Sequence, residues 1–200
     1  MSIPGKLLIE RVTGNAVEAI VDDLARLRMT VFAEYPYLYR GDMAYERDYL
    51  RAFLAAQDAL AVVARTDDQV VGIATASPMA ALEPALREPV AAAGIDPAQV
   101  CYFGESVLLP QWRGHGIGRA FFDHREDHAR GCGAHYAVFA AVVREPDHPA
   151  RPSDYRDLAP FWLRRGYEAV PGLTTSFEWQ EHGEDGESPK TMQFWMHNLG

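Results

Sequence analysis

Between Glu105 and Arg119 an apolar run is stopped by Pro110, a turn follows with glycine at 114, 116 and 118, and a helix begins. Few folds accommodate that order. A strand that ends at proline and turns tightly into a helix aims several backbone N–H groups at one point before the helix. The first N–H groups of a helix have no partner within it, and its N-terminus carries partial positive charge. A pyrophosphate suits such a place. Glycine matters there because a Cβ would hold the phosphate away from the amides. Arg113 can add a full charge.

Two familiar phosphate-binding patterns do not fit. A dinucleotide fingerprint needs glycine at 119, where the chain has Arg119, and an acidic residue about 20 positions on. The chain there reads Tyr136-Ala137-Val138-Phe139. A P-loop needs Gly-Lys-Ser/Thr after the turn, and none follows.

The rest of the chain reads as one domain, residues 1–200, with a mixed α/β order. A strand at 7–12 precedes a helical stripe of Val17, Ile20, Val21, Leu24, Leu27, Arg28 and Val31, which Pro36 stops. A tyrosine-rich loop leads to a second helix near 43–57. Runs at 60–65 and 70–77 flank Asp67-Asp68 as a hairpin. Residues 79–99 read as a helical insertion broken by Pro84, Pro89 and Pro97. Then come a strand to Leu109, a helix at about 116–130 and a buried strand at 135–143. A helix from Ser153 to Arg165 and strands at 173–181 and 190–198 end the chain. The expected fold is a twisted, mixed, mostly antiparallel sheet with helices on both faces.

Composition narrows the partners. A net charge of −9 repels phosphate backbones, so nucleic acid is excluded and cationic amines are favoured. Two cysteines are too few for a disulfide framework. Met1 to Lys6 lacks the basic start and apolar core of a signal peptide, and no apolar run is long enough to span a membrane. A cytoplasmic protein is expected.

The stretch Pro110-Gln111-x-x-Gly114-x-Gly116, extended by Ile117-Gly118, resembles the acyl-CoA-binding motif of the GNAT superfamily of N-acetyltransferases. The element order is similar to that fold over nearly the whole chain. Phe161-Trp162-Leu163-Arg164-Arg165-Gly166-Tyr167 looks like the family's ending of its fourth helix. The resemblance implies acetyl-CoA as cofactor and a small-molecule or peptide amine as acceptor. It implies that Val107, Leu108 and Leu109 pair with the pantetheine amides. Gln111, Trp112, Arg113, Gly114, His115, Gly116, Ile117, Gly118 and Arg119 would then cradle the pyrophosphate.

Acyl transfer needs a neutral amine, so some group must take its proton. Glu105 stands between Gly104 and Ser106 in an otherwise apolar strand, where a glutamate needs a reason. It is either the base that the family often carries there or one half of an ion pair with an arginine. The family's leaving thiolate commonly meets a tyrosine where this chain has Trp162, whose indole does not titrate. Tyr155 at the start of the expected helix is the substitute; water is the alternative. The resemblance also makes Tyr35, Tyr37 and Tyr39 the wall of an acceptor pocket. The proline-rich loop with His148 and Arg151 reads either as a reader of polar substrate or as a stiff connector.

His124 and His128 share a helix face, but Arg125 follows the first, no third ligand is indicated, and no metal is expected. The C-terminal strand pair is the expected place for a homodimer to form. A non-catalytic acyl-CoA sensor with the same fold is the competing reading.

Overall fold

The computed structural model describes residues 6–67 and 69–200. The signal-peptide reading of Met1–Lys6 thus falls mostly outside the described residues, as does Asp68 in the expected turn. β2 (Leu60–Arg65) and β3 (Val70–Pro78) are buried at nearly every position, so helices must cover both faces of the sheet. α1 (Val21–Phe32) and α2 (Met43–Leu54) cover one face. Asp42 starts α2, its carboxylate accepting from the Ala44 and Tyr45 amides. α4 (Ile117–Gly131) covers the other face, with Ile117, Phe121, Phe122, Arg125 and Ala129 turned inward.

β1 (Leu8–Val12), β4 (Val100–Leu108), β5 (Tyr136–Val142), β6 (Glu168–Trp179) and β7 (Ser188–Asn198) complete a seven-stranded sheet ordered β1-β2-β3-β4-β5-β7-β6. Every pair is antiparallel except β4 with β5. That pair holds only from Val100–Tyr102 against Tyr136–Val138. Beyond it the two strands run on unpaired to each other, leaving a gap that opens toward the start of α4. The β3–β4 register also slips. Ala74 faces Ser106 and Ala76 faces Phe103, so Gly104 and Glu105 form a bulge opposite Thr75. This is the expected mixed, mostly antiparallel sheet with helices on both faces.

Two expectations about proline do not hold. The insertion is in pieces, but Pro89 does not break it: α3 (Pro84–Ala92) begins at Pro84, continues through Pro89 and ends before Pro97, which opens a separate short turn. Pro89 has no N–H for the Ala85 carbonyl, and the Thr175 hydroxyl of β6 donates to that carbonyl instead, at 2.7 Å. In the other direction, no helix starts at Ser153. α5 spans only Ala159–Arg164, with the Asp157 carboxylate accepting from the Ala159 amide. Tyr155 therefore lies in a loop, not on the helix.

Candidate acyl-coenzyme site and acceptor wall

After Leu108 the chain makes a short turn over Pro110–Trp112, then passes through Gly114 (φ +81°) and Gly116 (φ +83°) before α4 begins. Side chains strain at those angles, so the backbone path itself requires glycine. A Cβ at Gly114, Gly116 or Gly118 would meet no atom within 4 Å, so the space before the turn is open. Among the described residues, nothing accepts from the N–H of Gly114, His115, Gly116, Ile117, Gly118 or Arg119. Six successive free amides at the head of a 15-residue helix fit a diphosphate.

Not every residue of the expected cradle faces that space. The Arg113 amide is used by the Pro110 carbonyl and the Trp112 amide by Leu109. Trp112 and Ile117 turn their side chains into the core. Arg113 is turned back, its guanidinium donating to the Leu108 carbonyl at 3.2 Å and to Glu34 at 2.8 Å. His115 Nδ1 sits 3.3 Å from the Trp112 carbonyl. Gln111 and Arg119 are exposed, and Arg119 has no ion-pair partner among the described residues, so it is the uncommitted cation at this turn.

The strand side of the expected site needs a similar correction. The Leu109 amide donates to Val71 and its carbonyl accepts from Trp112. Along a strand, alternate residues send their polar groups to opposite neighbours. Val107 therefore faces β3 with Leu109, while Leu108 and Ser106 face the gap beside β5. Of the three expected residues only Leu108 turns its polar groups to the gap. Ser106 was missed, although it lies two residues before Leu108 and so faces the same gap.

Glu105 is 5% exposed and its carboxylate points to the α1–α2 face. Arg28 Nη1 donates to Glu105 Oε2 at 2.5 Å, and Arg28 Nε donates to Glu46 Oε2 at 2.5 Å. Arg28 lies 4.4 Å over the Tyr49 ring and 5.1 Å over Phe32. Burial opposes its charge, but Glu105, Tyr49 and Glu46 more than offset this and hold Arg28 well above its ordinary value. Oε1 of each glutamate has no partner in its buried setting. The ion-pair alternative for Glu105 is thus present, and one carboxylate oxygen stays free beside it. Sequence reading missed Glu46, and it placed Arg28 only as one member of the helical stripe.

The expected acceptor residues form two groups. Tyr35 meets the Tyr155 ring edge-on at 4.7 Å and His148 at 5.6 Å, and Arg151 lies 5.1 Å over Tyr155. The tyrosine loop and the proline-rich loop therefore pack together. Desolvation raises the Tyr155 hydroxyl. Tyr37 and Tyr39 belong to the second group. Arg144 and the Trp179 indole donate to the Tyr37 carbonyl, and Tyr39 bridges to Glu181. The β6–β7 hairpin thus stitches this loop in place. Burial pushes the Tyr37 hydroxyl up to about 12. Burial, followed by the nearby Glu46 charge, raises Tyr39 further. Trp162 is held between Phe139 at 4.9 Å and Trp195 at 5.0 Å, a packed aromatic.

His124 Nδ1 accepts from Arg11, and His128 Nε2 lies 2.7 Å from the Asp58 carbonyl. Among the described residues, no three His, Cys, Asp or Glu side chains converge as metal ligands, and no helix is long and apolar enough to cross a membrane.

A model of the Acetyltransferase (GNAT) family matches residues 23–153, more than half of the chain. No curated protein sequence matches it. Among solved structures, yncA from Salmonella typhimurium, with its cofactor acetyl-CoA, superposes at a TM-score of 0.62 and 12% identity, covering 98% of this chain and 95% of that one. The N-acetyltransferase from Staphylococcus aureus Mu50 gives 0.61 at 12% identity, covering 98% and 100%. The ribosomal-protein-alanine N-acetyltransferase from Brucella melitensis gives 0.59 at 19% identity, covering 96% and 99%. At these identities the likeness speaks for the fold alone.

Proposed function

We propose that this chain, which belongs to the GNAT acetyltransferase family, moves an acetyl group from acetyl-CoA to a primary amine in one direct transfer. The observation that carries the reading is the run of free amides from Gly114 to Arg119 at the head of α4. Those amides would hold the pyrophosphate, with Arg119 adding charge. The polar groups of Ser106 and the amide of Leu108, whose carbonyl Arg113 already engages, would take the pantetheine arm as a neighbouring strand would. Acetyl-CoA, when bound, supplies an acyl carbon activated as a thioester.

The remaining work falls to side chains. Glu105 Oε1 takes the proton that the attacking amine sheds, while Arg28 holds the other oxygen still. The Tyr35, Tyr37 and Tyr39 loop and the His148–Arg151 loop wall the acceptor. Tyr155 is the hydroxyl nearest in role to the tyrosine that Trp162 replaces. Its raised pKa makes it a weak donor, so its loss should slow turnover rather than abolish it.

A second reading, an acyl-CoA sensor without turnover, is favoured by the grip of Arg28 on Glu105 and by Trp162. Release of free thiol from acetyl-CoA with an amine panel, beside a thermal shift with coenzyme A, separates the two. Turnover that falls about 100-fold or more in Glu105→Gln supports the enzyme with this base. A thermal shift without thiol release supports the sensor. The absence of any shift removes both.

A further inference from the structure

Arg125 is 1% exposed, and among the described residues no carboxylate pairs with it. Its neighbour Glu126 is committed elsewhere, to Arg165 at 2.9 Å and the Tyr167 hydroxyl at 3.2 Å. The Arg125 guanidinium lies 4.4 Å over Phe103 and 4.8 Å over Phe122. Desolvation pulls its pKa down to about 10, so it is still a cation at neutral pH. A buried unpaired charge is costly, and an apolar side chain between two phenylalanines would pack at less expense. The charge therefore needs a task.

Its hydrogen bonds name one. Nε donates to the Phe121 carbonyl within α4 at 3.2 Å. Nη1 reaches the Thr75 carbonyl at 3.3 Å and the Glu105 carbonyl at 3.5 Å. Thr75 and Glu105 are two of the three residues left without a ladder partner where β3 and β4 slip. Buried carbonyls need donors, and the ladder supplies none at a bulge. Arg28 holds the carboxylate of Glu105 from the α1 face, and Arg125 holds the carbonyl of the same residue from the α4 face. Arg125 also lies two turns, about 12 Å, from the first residue of α4. The helix whose head carries the amide cradle thus also grips the bulge.

We propose that Arg125 is a positioning residue that locks the β4 bulge to α4 and so fixes where Glu105 stands relative to the cofactor turn. The consequence for turnover rests on the acyltransferase reading; the consequence for the bulge does not. The test uses the full chain with Arg125→Met, which keeps length and loses every donor, and Arg125→Lys, which keeps the charge and can reach one carbonyl. In Arg125→Met, amide exchange over Phe103–Val107 should quicken about tenfold or more while exchange in β7 stays at the wild-type rate. The coenzyme A thermal shift should persist. With acetyl-CoA, kcat should fall about 100-fold with KM for acetyl-CoA changed less than about threefold, and Lys should restore about tenfold of that loss.

The proposal is overturned if exchange over Phe103–Val107 matches wild type in both variants, or if Lys recovers no more kcat than Met. Should Arg125→Met not fold, exchange in Arg125→Lys decides alone. Should the wild type release no thiol, the acyltransferase reading fails, and the exchange result still settles the role of Arg125 at the bulge.

Discussion

Arg28 stands 2.5 Å from Glu105 Oε2 and 2.5 Å from Glu46 Oε2, so one buried cation ties α1 to both α2 and the β4 bulge. All three side chains are nearly closed to solvent. Removing the cation leaves two carboxylates facing each other without compensation. Arg28→Met should therefore destabilise the fold by about 3–5 kcal/mol in urea unfolding. Adding Glu46→Gln and Glu105→Gln should recover a large part of that loss. A triple variant no more stable than Arg28→Met would show that the arginine acts by packing alone.

Gly104 makes the bulge sterically tight. A Cβ there would sit 2.5 Å from Thr75 Oγ1 and 3.0 Å from Phe53 Cζ. Gly104→Ala should cost about 1–3 kcal/mol of stability as these neighbours are displaced. Coenzyme A affinity, measured by titration calorimetry, should change little, because the free amides lie beyond the strand.

Gly116→Ala should behave in the opposite way. No protein atom would meet its Cβ, but its φ of +83° strains any other residue. The fold should lose only about 1–2 kcal/mol. Coenzyme A should bind about tenfold more weakly or worse, because the new methyl enters the space where the phosphate approaches the amides. Unchanged calorimetric affinity would argue that the turn holds no phosphate.

Glu184 closes the β6–β7 hairpin. It accepts from the Glu181 amide and bonds Lys190 and Ser188, which together lower its pKa to about 2 from an ordinary 4.5. Because the folded value is the depressed one, this contribution is complete above about pH 4.5 and fades as pH falls toward 2. The Tm gap between wild type and Glu184→Gln should be widest near neutrality and narrow through that window. A gap that holds steady down to pH 2 would rule the linkage out.

What could be read from the chain was the cofactor turn and the fold around it. Proline, alternating glycines and a helix start act over a few residues, where backbone geometry and the helix end impose the outcome. The element order followed from patterning along the chain, and the structure bears out that order and the glycine path of the turn. Tertiary contacts decided the rest. Pro89 stays helical because Thr175, 86 positions away in sequence, donates to Ala85, and Tyr155 left its expected helix because Asp157 caps a shorter one. The surroundings of Glu105 come from Arg28, 77 residues away, and Arg125, 20 residues away on the opposite face. Which arginine meets which carboxylate or carbonyl depends on distance and desolvation inside the packed core. Neither quantity exists along an extended chain, and neither has a short-range sequence signature.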